Sequence, residues 1–222
     1  MSTPIPSAAL NPVGQAGWSK RIYAWMLVKG SPKYQRAVAA HKRKLFADVR
    51  GDVLEIGPGT GVNLPYYRAD IRWIGIEPNP FMHAYLRKEA ERLGLNVDLR
   101  LGTAERLEAE DNSVDAVVST LVLCSVPDLA VTLQEVLRVL KPGGRFLFME
   151  HVAAPRGTRL RRVQRWVRPL WKIIGDGCHP DRETWMALEN AGFERVRCQH
   201  FRVRFPIIGP HVMGEAVKKQ SQ

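Results

Sequence analysis

Cysteine is scarce in this sequence, and the few cysteines it has lie far apart. The 222 residues contain three, Cys124, Cys178 and Cys198, with no C-x-x-C pair and no histidine–cysteine spacing of a metal site. This pattern excludes a disulfide framework and predicts neither a structural zinc site nor another bound metal. We therefore expect a protein of a reducing compartment.

Long apolar runs are also missing. The longest run near the N-terminus, Ile22–Val28, has seven residues, whereas a helix needs about 20 apolar residues to span a bilayer. The N-terminus lacks a charged segment followed by an apolar stretch, so the sequence does not predict a signal peptide. We expect a cytoplasmic protein that does not cross a membrane and at most lies on its surface.

Acidic residues are in the minority, and their distribution is uneven. The net charge is +11, with +8 on residues 1–50, −5 on residues 51–150 and +8 on residues 151–222. Because the central part is acidic, we expect no nucleic-acid partner. An anionic membrane surface, if there is one, should meet the basic flanks.

The segment from Asp52 to Gly61 contains the clearest functional motif. An apolar run ending at Ile56 predicts a buried strand, and glycine follows at every second position, at Gly57, Gly59 and Gly61. A glycine-rich turn from a parallel strand into a helix lets backbone N–H groups approach a ligand. Taken alone, the motif is also typical of a tight turn without a ligand.

Two acidic residues favour a ligand at this turn. Glu55 lies inside the strand, where an apolar residue is expected, and Glu77 ends the next apolar run, 20 positions after Gly57. An acid there can accept hydrogen bonds from ribose hydroxyls. Val62 stands where a dinucleotide fingerprint has its last glycine, so we predict an adenosine that carries a group smaller than pyrophosphate.

Strand and helix patterns alternate after this turn. Asn79 with Pro80, and Asp128, are predicted helix caps, and Gly94 is a predicted helix end. Alternation with short connections predicts an α/β fold, a Rossmann-like doubly wound sheet. The predicted strands are Val53–Ile56, Trp73–Glu77, Val97–Leu101, Val114–Ser119 and Arg145–Glu150, followed by an antiparallel pair near Arg195–Phe201 and Val212–Val217.

We divide the chain into a flexible arm at 1–17, basic N-terminal helices at 18–50 and an α/β domain at 51–222. Gly30-Ser31-Pro32 is predicted to separate two helices in the basic part. The first of these helices, over Trp18–Val28, either packs on the domain or lies on a membrane or over the ligand site.

Residues 155–180 form a basic amphipathic insertion. Pro169 should kink or split its helix, and Asp181 should cap a following helix that extends to about Ala191. The pattern is typical of a membrane-surface helix, or of a solvated basic face above a stripe packed in the core. The stripe consists of Leu160, Val163, Val167, Leu170, Trp171 and Ile174.

The run from Glu55 to Glu150 resembles a class I S-adenosylmethionine-dependent methyltransferase domain. The motifs are the acid before G-x-G-x-G, the acid after the second strand, Ala104-Glu105, and Lys141-Pro142-Gly143-Gly144. A narrower resemblance is to the microsomal alkyl-thiol methyltransferases of animals and their bacterial relatives, through Pro78-Asn79-Pro80, residues 120–126, residues 148–153 and Asp176-Gly177-Cys178. Those proteins are membrane-associated and methylate small lipophilic thiols. The hydrophobic anchor of the animal proteins is not matched here.

The resemblance implies a seven-stranded sheet with its last strand antiparallel, a helical N-terminal extension and a helical insertion after the fifth strand. It also implies S-adenosyl-L-methionine as cofactor and S-adenosyl-L-homocysteine as product. By this resemblance, the methionyl end of the cofactor contacts Glu55, Gly57, Gly59 and Gly61, and the ribose contacts Glu77. The adenosine contacts Pro78, Asn79, Thr103, Ala104 and Glu105, and Thr120 and Leu121 lie beneath the cofactor.

Three residues are catalytic candidates. His151 ends the fifth strand and either orients or deprotonates the substrate or only bonds a nearby backbone carbonyl. Asp176 and His179 flank Cys178 and are the second candidates. Cys124 is interpreted as a small core residue rather than a nucleophile.

A thiol acceptor fits this set because a thiol needs no strong base. A free thiol has a pKa of about 8.5 and is a few per cent thiolate at neutral pH. We therefore predict in-line methyl transfer to a small hydrophobic thiol or hydrosulfide, in a pocket walled by apolar residues of 155–175 and Trp18–Val28. One alternative is a phospholipid or quinone methyltransferase. Another is a non-catalytic membrane- or RNA-binding module with a relic cofactor pocket.

Overall fold

A seven-stranded sheet forms the centre of the molecule in a computed structural model, which describes residues 16–220. The strands are β1 Asp52–Ile56, β2 Arg72–Ile76, β3 Val97–Arg100, β4 Val114–Thr120, β5 Leu140–His151, β6 Arg195–Arg202 and β7 Pro210–Val217. Their spatial order is β3-β2-β1-β4-β5-β7-β6. Neighbours are parallel from β3 to β5, and β7 is antiparallel to both β5 and β6. The predicted fold class is confirmed.

Helices cover both faces of this sheet. They are α1 Ala16–Phe46, α2 Pro80–Leu93, α3 Leu129–Val139, α4 Arg159–Ile174 and α5 Thr184–Asn190, with a 3₁₀ turn at Leu64–Tyr66. The predicted caps of α2 and α3 are confirmed. The Asn79 side chain accepts from the Phe81 N–H, and the Asp128 carboxylate accepts from the N–H groups of Ala130 and Val131.

Two apolar clusters form the core, one on each face of the sheet. Successive residues of β1 alternate between them, with Val53 in one and Leu54 in the other, because neighbouring side chains of a strand point to opposite faces. Tyr34 and Val38 of α1 belong to the first cluster, and Leu133 of α3 belongs to the second. Burial on both faces explains why the central strands read as nearly continuous apolar runs.

The prediction of two N-terminal helices is wrong. α1 continues through Gly30-Ser31-Pro32 as one helix of 31 residues. A proline removes one backbone hydrogen bond and kinks a helix, but the residues beyond it, including Tyr34, Val38 and Leu45, are buried against the sheet. Tertiary packing of this kind maintains helices against local preference. Of the predicted arm, residues 1–15 lie outside the described residues, and Ala16 and Gly17 are helical.

Strand β5 begins at Leu140 rather than at the predicted Arg145. Its two glycines form backbone hydrogen bonds with Lys218, which follows β7. The Gly143 N–H donates to the Lys218 carbonyl at 3.1 Å, and the Lys218 N–H donates to the Gly144 carbonyl at 2.9 Å. The register against β4 shifts at this point. The predicted turn is therefore a bulged continuation of the strand.

Asp181 does not cap a helix, contrary to the prediction. α5 begins at Thr184, with Glu183 at the N-cap position and no side-chain capping bond. The Asp181 carboxylate instead lies 3.5 Å from Nη1 of Arg168 on α4. The helix begins three residues after Asp181, so this side chain is too far from the start of α5 to occupy its N-cap position.

Helix α4 runs through Pro169 without a break and leaves much of its apolar surface in solvent. Gln164 is its buried residue, whereas three members of the predicted stripe are exposed, Val163 to 44%, Leu170 to 61% and Ile174 to 54%. Outside that stripe, Trp166 is 83% exposed and Ile173 80%. The interpretation of a core-packed stripe is therefore wrong for this face. Across residues 16–220, no helix is both long and apolar enough to cross a bilayer.

Candidate active site

A cavity of about 480 Å³ lies where β1, β2 and β4 end, and it is lined by Ile56, Ile76 and Thr120. The strand order reverses here, since the chain continues from β1 to β2 and β3 on one side and to β4 and β5 on the other. Open α/β sheets bind ligands at such a point, outside the carboxyl ends of the strands. The volume is also that of a small-molecule site, roughly 300–1,000 Å³.

The glycine turn lines one side of this cavity. Gly57 and Gly59 both have φ +58°, and Gly61 has φ +82°, a left-handed region that glycine adopts without strain. A Cβ on Gly57 would lie 2.6 Å from Cγ2 of Val122, whereas one on Gly59 would meet nothing within 4 Å. Gly57 thus lets the turn pack on the segment after β4, and Gly59 leaves open space beside a backbone that lines the cavity.

Glu77 lies at the end of β2, as predicted, and is held by the glycine turn. Oε2 accepts from the Gly59 N–H at 2.9 Å and Oε1 accepts from the Asn79 N–H at 2.8 Å. Burial raises the pKa of this carboxyl above its ordinary value, and the two backbone bonds oppose that rise. Each oxygen keeps a second lone pair, so the carboxylate can accept further hydrogen bonds from a ligand.

Glu55 lies beneath the turn rather than in the cavity wall. It is fully buried and accepts from Asn63 Nδ2 at 2.6 Å, Tyr67 Oη at 2.9 Å and Trp73 Nε1 at 3.1 Å. Burial raises its pKa, and these three donors lower it. Glu55 therefore joins the glycine turn to the segment that follows it, and its hydrogen-bond partners are protein groups.

Ten of the twelve residues predicted to contact the cofactor line the cavity. They are Gly57, Gly59, Glu77, Pro78, Asn79, Thr103, Ala104, Glu105, Thr120 and Leu121. Glu55 and Gly61 are outside this lining. These contacts remain a prediction, but the fold brings the ten residues together from four separate segments of the chain.

Helix α1 supplies three lining residues that sequence reasoning did not single out, Lys20, Tyr23 and Gln35. The Lys20 carbonyl accepts from Asn79 Nδ2 at 3.1 Å, which attaches the helix to the cavity. Burial raises the pKa of Tyr23 far above its ordinary value, so its phenol is neutral. The available signal was the position of Tyr23 in Trp18–Val28, the segment expected to cover a ligand site.

Helix α4 does not contribute to the cavity as expected. No residue of 155–175 is among the described residues that line it, and only Asp176 and Gly177, just after the helix, do so. The apolar side chains of α4 are partly exposed instead. The expected apolar wall from this helix is therefore wrong.

The three catalytic candidates occupy different positions. Asp176 lines the cavity, with φ +48°. His179 lies outside the lining, and its Nδ1 accepts from Nη2 of Arg182 at 2.6 Å. Burial, with Arg182 next, lowers the pKa of His179. His151 is buried, 3% exposed, and also lies outside the lining.

A cluster of Cys124, His151 and Cys178 lies behind the cavity wall. Nε2 of His151 is 3.0 Å from Sγ of Cys178, and all three residues are buried. Hydrogen bonding with Cys124 and then with His151 lowers the pKa of the Cys178 thiol. The same contact with Cys178, together with burial, raises the pKa of Cys124. Cys124 is thus a buried residue, as expected, but one with polar partners that its sequence position did not reveal.

The charges of the lining fit an adenosyl sulfonium better than a nucleoside phosphate. Among the described residues, three carboxylates, those of Glu77, Glu105 and Asp176, and one ammonium, that of Lys20, line the cavity. An acidic lining repels phosphate and attracts a positively charged sulfur. The residues present therefore fit S-adenosylmethionine.

Comparison with known proteins places the chain among methyltransferases. A family model described as a methyltransferase domain matches residues 54–148. Thiol S-methyltransferase TMT1B of Homo sapiens is 39% identical over 213 residues, covering 90% of this chain and 87% of that protein. Thiol S-methyltransferase TMT1A of Homo sapiens is 38% identical over 223 residues, covering 94% and 91%.

A solved structure has the same fold. The YcgJ protein from Bacillus subtilis superposes with a TM-score of 0.67 at 18% identity, covering 82% of this chain and 100% of that one. At this identity the similarity concerns the fold alone. The fold and the glycine turn thus agree with the class that the sequence motifs indicated.

Proposed function

This chain belongs to the methyltransferase family that includes the thiol S-methyltransferases, and from this premise we propose that it methylates a small hydrophobic thiol or hydrosulfide. The thiol comes from the names of relatives that match about nine-tenths of the chain. The observation that supports the methyl donor is the acidic cavity at the glycine turn.

The residues proposed to hold the cofactor are those of the turn and of the strand ends. Glu77 would accept the ribose hydroxyls through its free lone pairs, and Gly57 and Gly59 would lie against the methionyl part. Ala104 and Glu105 would contact the adenine. When bound, S-adenosylmethionine supplies an electrophilic methyl group on a positively charged sulfur and leaves as S-adenosylhomocysteine.

The protein's main task in this reaction is alignment. Holding the acceptor in line with a reacting group can lower the barrier by roughly 7–11 kcal/mol. A thiol is already a few per cent ionised at neutral pH, so its proton passes to solvent without a strong base. We propose that Asp176 and the neutral Tyr23 phenol, which both line the cavity, orient the acceptor.

A panel of acceptors tests this proposal. The purified full chain is incubated with S-adenosylmethionine and, separately, with small alkyl thiols, hydrosulfide, phenols, quinols and amino lipids. We expect methylated product from the thiols, or from hydrosulfide, and a loss of that product in Glu77→Ala. Turnover confined to amino lipids or quinols would replace the thiol with the alternative acceptor. No cofactor binding by calorimetry would favour a non-catalytic module.

A membrane partner is proposed from α4. This helix has six basic residues and no acidic residue, so its side chains carry a net charge of +6. Trp166, Leu170 and Ile173 lie exposed beside the basic residues. A helix with these two surfaces binds in the interface of an anionic membrane. Vesicle flotation should recover the protein with anionic vesicles and not with neutral ones, and Trp166→Ala should weaken the recovery. Equal recovery on neutral vesicles, or none on either, would contradict this localisation.

A further inference from the structure

Three side chains with soft ligand atoms converge on one point in the core. Cys124 follows β4, His151 ends β5 and Cys178 follows α4. The two Sγ atoms and a ring nitrogen of His151 all lie within 4.8 Å of one another. All three are buried: Cys124 is 2% exposed, Cys178 is 7% exposed and His151 is 3% exposed.

We propose that Cys124, His151 and Cys178 bind a soft divalent cation of the zinc class. Thiolate and imidazole ligands in a Cys₂His set are typical of zinc, and sites with three protein ligands keep a fourth position for another group. With Zn–N and Zn–S bonds of about 2.0 and 2.3 Å, a tetrahedral ion holds nitrogen and sulfur about 3.5 Å apart. Nε2 of His151 and Sγ of Cys178 are 3.0 Å apart. An increase of about half an ångström in the distance between these two atoms would therefore admit the ion.

The backbone around the cluster fixes the ligands independently of their own side-chain contacts. The Cys124 carbonyl accepts from the His179 N–H at 2.8 Å. Nη1 of Arg182 donates to the carbonyls of Leu123 at 2.6 Å and Val126 at 2.8 Å. The segments that carry the two cysteines are thus held together before any ion binds, as a preorganised site requires.

Strained backbone is concentrated beside the same cluster. Within residues 16–220, three non-glycine residues have positive φ, and two of them, Leu121 at +60° and Asp176 at +48°, lie within three positions of Cys124 or Cys178. The third, Asn112, is in a turn, where asparagine tolerates this conformation. Strain of this kind persists where the surroundings determine it and is found at ligand sites.

The charge of the site also suits a divalent ion. When an ion binds, the two thiols lose their protons, and two thiolates with a neutral imidazole then carry a charge of −2. A bound divalent cation cancels this charge. Because Ser125, Asp176 and Gly177 line the cavity next to the two cysteines, the ion would join two parts of the cavity wall.

Zinc affinity of the full chain tests the proposal. Protein purified under reducing conditions is titrated with Zn²⁺ against a chromophoric chelator. We expect one tight site per chain, and an affinity at least ~10-fold weaker in Cys124→Ser and in Cys178→Ser. Cys198→Ser is the matched control, because Cys198 is a half-buried cysteine on β6 outside the cluster, and it should keep the wild-type affinity.

A second readout does not depend on the folding of any variant. Co²⁺ added to the wild-type chain should give thiolate-to-cobalt charge-transfer absorption, which Zn²⁺ then removes. The proposal is overturned if the wild-type chain binds no Zn²⁺, if Cys198→Ser loses as much affinity as Cys178→Ser, or if mass spectrometry finds a Cys124–Cys178 disulfide in the reduced preparation. All three results are independent of methyl transfer.

Discussion

One carboxylate oxygen of Glu77 accepts a hydrogen bond from the Gly59 N–H at 2.9 Å. The bond joins the end of β2 to the glycine turn after β1, two features that the sequence indicates independently of each other. The other oxygen accepts from the Asn79 N–H at the start of α2. Glu77 therefore has two roles, since it shapes the turn and offers its remaining lone pairs to a ligand.

Replacing Glu77 should weaken cofactor binding in a graded way. Glu77→Gln keeps one acceptor oxygen but loses the charge, and Glu77→Ala leaves two backbone N–H groups without a partner. Since hydrogen bonds to charged groups contribute about 1.5–3 kcal/mol, we expect calorimetry to give affinities roughly 10-fold lower for Gln and lower still for Ala. Glu91→Gln, at an exposed position of α2, should bind as the wild type does. Unchanged affinity in Glu77→Ala would remove Glu77 from the site.

Cofactor affinity should fall on acidification at a higher pH than for an ordinary glutamate. Burial raises the pKa of Glu77, and only the ionised carboxylate accepts from both ribose hydroxyls. Affinity should be constant above that pKa and decrease by up to about tenfold per pH unit below it. The measurement is calorimetry from about pH 8 down to about pH 5, with circular dichroism to verify folding. Glu77→Gln should have no such slope. If its slope equals that of the wild type, another group is responsible.

The first two glycines of the turn, Gly57 and Gly59, should differ in their tolerance of alanine. Both have φ +58°, which costs an L-residue roughly 1–2 kcal/mol. Only at Gly57 would the Cβ also collide, at 2.6 Å, with Val122, and overpacking costs about 1–3 kcal/mol more. Urea unfolding should therefore show a larger loss for Gly57→Ala than for Gly59→Ala. Equal losses would mean that Val122 moves aside at little cost.

Removing one donor from Glu55 should destabilise the fold. Tyr67→Phe deletes the hydroxyl that donates to Glu55 Oε2 at 2.9 Å and leaves a buried carboxylate with one partner fewer. A loss of about 1–3 kcal/mol in the free energy of unfolding is expected. Tyr85→Phe is the control, because Tyr85 is exposed on α2. A Tyr67→Phe protein as stable as this control would show that the bond contributes nothing.

Asp176→Asn should affect the acceptor step and spare cofactor binding. Asparagine has the same shape and tolerates the left-handed backbone at this position, so the fold should be kept. We expect a lower kcat/KM for the thiol with an unchanged dissociation constant for S-adenosylmethionine. His179→Gln, outside the cavity lining, should leave both unchanged. Unaltered thiol kinetics in Asp176→Asn would leave Asp176 without a role in orienting the acceptor.

Local signals in the sequence predicted which residues meet at the cavity. The glycine turn, Glu77 and the cap at Asn79 each depend on neighbouring residues, and the structure places Gly57, Gly59, Glu77 and Asn79 around one cavity. Strand ends at the switch point of a parallel sheet meet by topology. Spacing along the chain was therefore sufficient to bring these residues together.

Contacts between distant segments were not predictable in the same way. Tyr23 reaches the cavity because α1 packs on the sheet, and nothing in its local sequence fixes that position. Cys124, His151 and Cys178 lie 27 positions or more apart, so no ligand spacing revealed them. Glu55 stood out as an acid in a buried strand, but its three donors come from Asn63, Tyr67 and Trp73, which only the fold brings together.

The most direct test of the function is a single-turnover measurement with methyl-labelled S-adenosylmethionine, the purified full chain and a small hydrophobic thiol. Mass spectrometry should find the label on the sulfur of the thiol, formed by the wild-type chain and far more slowly by Glu77→Ala. Label on oxygen, nitrogen or carbon of another acceptor, with none on any thiol or on hydrosulfide, would contradict thiol methylation.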